Sequence, residues 1–540
     1  MAGSWLPRCL LLLLLLGVSH GAWNMRQIRH TLHRQRQLDS FKSFYIRLAF
    51  PKGASGYTEP IEGHYTQPLD HFNRRNNATY RQRYWINEEY WQRPDGPVFL
   101  YIGGEGSLSE FSVLSGEHVD LAQKHRALLV SLEHRYYGAS INQDGLTLSE
   151  IRFLSSQQAL ADLASFHLFI SQKYNLSPRN TWICYGGSYP GSLSAWFRLK
   201  FPHLVYGAIA SSAPVRAKLD FTDYNKVVAK SLSDEAIGGS AKCLDLVKEG
   251  FRAVDALLHS GNTSELEKDF SSCDALSGPD DSAEFVGNLA DIFMGAVQYN
   301  GEIRGNNVRR LCQIMTTESP QSAYEGLRKV NQGYMESMGL QCVQNSYEKS
   351  VADLNSTKIN PVGVGERQWY YQTCTEFGYY QTCEDALCPF SPLITLNSQL
   401  ALCTRVFQIT MESVQQSVEF TNEFYGADHP KSSRIIFVNG YCGSGHLLAK
   451  ICREGGGSPC SLSAEYAKAL VEAISTTGIA TLMFYVYKHL QFLPKFTFSN
   501  VCGSARGSPN LLLRDQGRLH MPRQSLHFNN RLFSGGLFTK

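Results

Sequence analysis

Several signals are missing from this chain of 540 residues. It carries no internal repeat and, outside its first residues, no low-complexity tract, which excludes solenoid and fibrous architectures. The net charge is only +3 and no basic stripe is interleaved with aromatics, so nothing in the sequence calls for nucleic acid. No cysteine or histidine set has the spacing of a zinc site. Cys383-Glu384-Asp385-Ala386-Leu387-Cys388 lacks a second pair of ligands, and neither a metal nor a cofactor is expected. Stable membrane insertion is not expected either. The apolar core from Cys9 to Leu16 is shorter than the roughly 20 residues a spanning helix takes, and residues 473–487 read as a buried helix in preference to a marginal membrane segment. Acids are scarce in one region: residues 441–540 hold only Glu454, Glu465, Glu472 and Asp515 against 11 Lys and Arg, whereas acids outnumber bases in the rest of the chain.

What is present is ample apolar material, 43% hydrophobic and 12% aromatic, on a chain too long for one compact core. Two domains, or one domain with a large insertion, are expected. Arg8, the leucine run and the small residues around Gly17 and Gly21 read as a secretory signal peptide over 1–21. In that compartment Asn77-Ala78-Thr79, Asn262-Thr263-Ser264 and Asn355-Ser356-Thr357 become glycosylation sequons, with Asn175 weakened by Pro178. Eight of the 14 cysteines crowd between Cys243 and Cys403, which favours disulfides, while Cys184 reads as a buried thiol.

The chemistry centres on Tyr185-Gly186-Gly187-Ser188-Tyr189-Pro190-Gly191, which follows the apolar run Trp182-Ile183-Cys184 and precedes an amphipathic stretch. A strand turning sharply into a helix around a serine lifts the hydroxyl above a sheet. Such an elbow needs small residues on either side, because strand and helix backbones come too close for a Cβ. Further strands are read at residues 97–102, running into Gly103-Gly104-Glu105-Gly106-Ser107, at 127–132, and at 205–210. Leu160, Leu163, Phe166, Ile170 and Tyr174 recur at helical spacing between the second strand and the elbow. Alternating strands and helices specify a parallel α/β sheet.

The glycine loop at 103–107, Glu133-His134-Arg135-Tyr136-Tyr137-Gly138, the serine elbow, Ser211-Ser212-Ala213-Pro214 and the motif from Arg367 to Gly378 together resemble a serine peptidase family, that of lysosomal Pro-X carboxypeptidase and dipeptidyl peptidase II. The likeness covers about Gly63 to Gly440. It implies an α/β-hydrolase fold with a helical cap inserted after the nucleophile half of the sheet. The hydrolase domain is expected over 50–218 and 403–440, the cap over 219–402, and a divergent tail over 441–540. Helices are read in the cap at 241–258, 283–299 and 322–338. The implied activity is peptide hydrolysis by acyl transfer through Ser188. The Tyr189 backbone N–H and a donor from the glycine loop, taken as Gly104, form the oxyanion hole, where losing one donor costs about 3 kcal/mol of transition-state stabilisation. Trp369 and Glu376 are expected in the substrate pocket. The partner is a peptide, a homodimer is allowed, and the location is the secretory pathway, endolysosomal or secreted.

The chain departs from the family after Gly440. The family carries its acid in an Asn-Gly-x-x-Asp-Pro-Trp segment and its histidine nearer the C-terminus. Here Asn439-Gly440 is followed by Tyr441-Cys442-Gly443-Ser444-Gly445-His446, with no aspartate and no Pro-Trp. His446, His489, His520, His527 and Asp515 remain, none in a matching motif, and the join is better explained by an alternative exon end, a retained intron or a faulty gene model than by drift within a working triad. Two other readings are carried: a peptide-binding pseudoenzyme that hydrolyses nothing, and an esterase on the same fold. His134 is assigned a structural role.

Overall fold

The apolar runs read around residues 97–102, 127–132 and 182–184 become the centre of one sheet. A computed structural model describes residues 24–49, 59–300, 302, 306–316 and 322–439. The signal peptide and the 441–540 tail expected from the sequence, with His446, His489, Asp515, His520 and His527, lie outside them. The strands are β1 (Ile61–Pro68), β2 (Thr79–Asn87), β3 (Val98–Ile102), β4 (Leu128–Leu132), β5 (Trp182–Gly187), β6 (Gly207–Ser211), β7 (Lys218–Asp220), β8 (Gly378–Tyr380) and β9 (Ile435–Val438). Seven of them form a sheet in the order β1-β2-β4-β3-β5-β6-β9, and β7 pairs with β8 apart from it.

β1, β2 and β4 pair antiparallel, and β4, β3, β5, β6 and β9 pair parallel. The central strands are continuous apolar runs because helices cover both faces, and every residue of β4 is buried. Parallel neighbours need crossover connections. The crossings before β4, β5 and β6 carry helices α2 (Glu117–His125), α3 (Ser156–Lys173) and α4 (Tyr189–Lys200), α1 being the helix Asn24–Ala49 discussed below. α3 starts where the Ser155 side chain accepts from Gln158 N, and it buries Leu160, Leu163, Phe166 and Ile170, the face expected from the sequence.

Between β7 and β9 the chain is mostly helical: α5 (Thr222–Leu232), α6 (Ala241–His259), α7 (Pro279–Gln298), α8 (Val308–Thr316), α9 (Ala323–Met338), α10 (Tyr347–Asn355), α11 (Glu366–Gln372), α12 (Leu396–Phe407) and α13 (Met411–Tyr425). α5 to α9 enclose their own core around Phe251, Phe285, Phe293 and Leu327. α12 runs across the 402/403 boundary expected from the sequence. α13 turns back to the sheet, where Tyr425 stacks on Trp196 with centroids 4.0 Å apart. All eight crowded cysteines pair, as Cys243–Cys312, Cys273–Cys342, Cys374–Cys403 and Cys383–Cys388. The first two each close a loop of 69 residues, a constraint on the unfolded chain worth on the order of 4 kcal/mol. Cys184 is a free, buried thiol.

α1 was not foreseen. Met25, Ile28 and Leu32, at helical spacing, sink into the insertion's core. Ile28 presses so close to α7 that a Cβ on Gly295 would lie 2.5 Å from its Cδ1. The first turn is capped from α7: Asn24 N donates to Asn288 Oδ1 at 3.0 Å and Met25 N to Asp291 Oδ2 at 3.0 Å. Among the described residues no helix is long and apolar enough to cross a membrane.

One buried ion pair fixes the strand ends beneath the functional site. Arg135 and Asp162 are fully buried, and Arg135 Nε and Nη2 reach the two Asp162 oxygens at 2.6 and 2.8 Å. The remaining guanidinium protons go to the carbonyls of Pro68, Leu69 and Phe153, while Tyr80 and His71 complete the carboxylate. Burial works against the Asp162 charge, yet Arg135 and these hydrogen bonds hold its carboxyl below its ordinary value. Arg135→Met leaves Asp162 buried without its guanidinium partner, and a loss of about 3–5 kcal/mol in urea-unfolding free energy is expected.

Candidate active site

The elbow is built by close backbone contacts. Ser188 sits between β5 and α4 with φ 66° and ψ −134°, a conformation that costs a non-glycine residue about 1–3 kcal/mol. Its N–H donates to the Ser211 carbonyl at 2.9 Å, bracing the turn on β6. Glycine is required on both sides: a Cβ on Gly186 would lie 2.0 Å from the Pro190 carbonyl oxygen, and one on Gly191 would lie 2.9 Å from the Ser211 oxygen. α4 then descends buried from Tyr189 to Arg198, which anchors the strained residue.

Ser188 opens onto a cleft of about 1740 Å³, whose walls also include Gly104, Tyr189, Trp369 and Tyr379. The glycine loop lies against the elbow, since a Cβ on Gly104 would meet Pro190 Cγ at 2.2 Å. That loop is pinned twice. Buried Glu133 accepts from Leu108 N at 2.9 Å and Arg83 Nη2 at 2.7 Å, and Ser107 N donates to the Gly363 carbonyl at 2.8 Å.

Behind the elbow lies a closed polar chain. The Arg135 carbonyl can only accept, so His134 Nδ1 donates to it at 2.7 Å and Nε2 accepts from the Tyr189 hydroxyl at 2.9 Å. Burial lowers the His134 pKa to about 4, keeping the ring neutral. This agrees with the structural role assigned from the sequence. The Tyr189 hydroxyl in turn accepts from Gln372 Nε2 at 3.0 Å, and Tyr137 donates to Gln372 Oε1 at 2.7 Å.

The expected pocket residues separate. α11 ends in a π-helical turn, Thr373–Phe377, a local widening common at functional sites. Trp369 faces the cleft and packs on the Tyr189 ring at 5.8 Å. Glu376 does not line the cleft; its placement in the pocket is corrected. It is buried behind Tyr189, accepting from Ser156 N and Oγ at 2.8 and 2.6 Å and from Gln372 Nε2 at 3.0 Å. Burial raises its pKa against these donors. Asn77, Asn262 and Asn355 are all exposed.

The cleft also takes in groups that sequence reasoning missed. Glu284, Asn288 and Asp291 face it from α7 at helical spacing, and Arg29, His33 and Arg36 face it from α1. The signal for the first set was available, since two acids with an asparagine between them, at steps of four and three, interrupt the apolar part of this helix.

A mixed, mainly parallel sheet with a strained serine lifted at the strand-to-helix turn defines an α/β-hydrolase fold. The serine carboxypeptidase S28 profile matches residues 67–462, and the chain belongs to that family of serine-type peptidases, enzymes that act on peptides. Thymus-specific serine protease from Homo sapiens is 45% identical over 409 residues, covering 74% of this chain and 80% of that one. The protein of the same name from Mus musculus is 43% identical over 447 residues, covering 82% and 87%. Lysosomal Pro-X carboxypeptidase from Bos taurus is 28% identical over 339 residues, covering 59% and 65%.

The α7 acids give the fold a pH dependence. Burial raises Glu284 from 4.5 to about 8 and Asp291 from 3.8 to about 7. Both bind a proton on folding, so their contribution is full below their ordinary values and is lost as pH rises through about 7 to 8. A lower thermal midpoint at pH 8 than at pH 5 is expected, with the difference shrinking in Glu284→Gln/Asp291→Asn. Differential scanning fluorimetry across that range checks it.

Proposed function

We propose that Ser188 is the nucleophile of an exopeptidase-like serine peptidase working in the secretory or endolysosomal pathway. The observation that carries this reading is a serine held at positive φ on the floor of a large cleft, beside a glycine loop packed on the same turn. Ser188 Oγ attacks the scissile carbonyl carbon and its proton passes to a histidine. The Tyr189 N–H and the glycine loop at Gly104 meet the oxyanion, the C–N bond breaks, and the amine leaves with that proton. Water then hydrolyses the acyl-enzyme.

Because His134 is neutral and bound on both nitrogens, the base in this reading comes from His446, His489, His520 or His527, with Asp515 as an orienting acid. Trp369 and Tyr379 offer flat apolar walls to a small ring, and a relative is named as a Pro-X carboxypeptidase, so proline next to the cleaved bond is the preference proposed. The helices of 219–402 act as the cap that keeps water and long chains out. Exposed sequons and four disulfides support the secretory route. The esterase reading is not favoured by the family, and the pseudoenzyme reading is decided by the same experiment.

A fluorophosphonate probe is expected to label the purified chain at Ser188. Peptides with proline at the second position are expected to be cleaved in preference to esters, with Ser188→Ala lowering kcat by on the order of 10⁴–10⁶-fold. A folded chain that takes no label is a peptide-binding protein instead. Gly104→Ala pushes the loop off Pro190, and a kcat loss of about 10²–10³-fold with KM little changed is expected if the loop serves the oxyanion. Unchanged kcat removes Gly104 from that role.

A further inference from the structure

α1 precedes the residues matched by the family profile, 67–462, yet it forms part of the cleft wall. Twenty-six residues of helix extend about 39 Å, far enough to bridge a small domain. Its two halves do different things. The first half is anchored: Ile28 and Leu32 are buried in the insertion's core, and Tyr334 donates to the Asn24 carbonyl at 3.0 Å.

The second half crosses to the hydrolase side. His33 Nε2 lies 3.3 Å from Ser107 Oγ on the glycine loop. Phe41 meets Phe111, beyond that loop, edge-on at 6.1 Å. Between these contacts Arg36 Nε and Nη2 donate to Glu302 Oε2 at 3.1 and 3.0 Å, with the Arg36 side chain 48% and the Glu302 side chain 25% exposed. The polar side of this half, including Arg36, lines the cleft, while Leu38 and Phe41 are about half exposed outside it.

We propose that the second half of α1, fastened by the Arg36–Glu302 pair and the Phe41–Phe111 contact, is a specificity-determining wall that sets the length of peptide reaching Ser188. This rests on the reading of Ser188 as the reacting residue. Chain ends and short peptides pass beneath the helix, whereas loops and long chains, which must lie across the cleft, meet α1. The fastening is a partly exposed ion pair to the insertion, the single His33–Ser107 contact and one aromatic edge, contacts weak enough to open and close. The anchored first half keeps the helix from leaving.

The test does not need catalysis. In the full chain carrying Ser188→Cys, alkylation of residue 188 is timed with N-ethylmaleimide and with a maleimide carrying a polyethylene glycol chain, each normalised to its rate on free cysteine. The site is quantified by peptide mass spectrometry. The bulky reagent is expected to be strongly disfavoured. Adding Arg36→Gln and Phe41→Ser is expected to raise the bulky-to-small rate ratio about tenfold, the factor for losing one exposed ion pair and one aromatic contact from the closed state. Both replaced side chains are half-exposed, and circular dichroism verifies the fold. Ser115→Cys, also in the cleft wall, is the reporter if Ser188→Cys does not fold. An unchanged ratio overturns the proposal even if Ser188 takes the fluorophosphonate. A raised ratio in a chain that takes no fluorophosphonate upholds the wall and fails the peptidase reading alone.

Discussion

The contact on which the rest depends is the approach of three backbones at the top of β5. Strand, helix and the neighbouring β6 come within a distance that only hydrogen can occupy at Gly186 and Gly191. Ser188 is thereby forced to positive φ, with its amide closed onto the Ser211 carbonyl. The strain is offset by the burial of nearly all of α4, including Trp196 and Phe197, against the sheet and α13. Relaxing the turn would require moving β6 or lifting α4, and both are locked into the same core.

Around this point the hydrolase body and the helical insertion share side chains rather than merely touching. The Tyr189 hydroxyl belongs at once to His134 at the end of β4 and to Gln372 on α11. Glu376 ties the π-turn after α11 to Ser156 at the start of α3, and Ser156 also meets the Tyr425 hydroxyl. The glycine loop is likewise held between Glu133 and Gly363. The floor and the wall of the cleft are therefore set by the same buried hydrogen bonds, each satisfied at both ends, as a low-dielectric interior demands.

The central strands, α3, α6, α7 and α9 were legible because burial writes itself into a chain as continuous apolar runs or as 3.6-residue periodicity. Ser188 was legible for a different reason, since close approach demands glycine at fixed offsets. Glu376 was misplaced because its aromatic neighbours suggested a pocket, whereas the π-turn that carries it buries its carboxylate on Ser156 and Gln372 while Trp369, on α11 before it, lines the cleft. α1 escaped notice because arginines and histidines between Met25, Ile28 and Leu32 outweigh three apolar residues in any average. Their partners lie in α7 and beyond, where local sequence cannot point. The disulfide partners were closed to sequence for the same reason: eight cysteines predict oxidation, but pairing is a tertiary fact.

The hydrogen bonds from Asn24 to Asn288 span 264 positions. On a ribosome the first described helix therefore emerges long before the surface that receives it, and its apolar stripe stays bare while the next 264 positions are made. Long-range pairings of this kind slow folding and leave nascent chains prone to clumping. The basic residues that punctuate that stripe make the helix polar on average, so the waiting segment carries its few apolar side chains among charges.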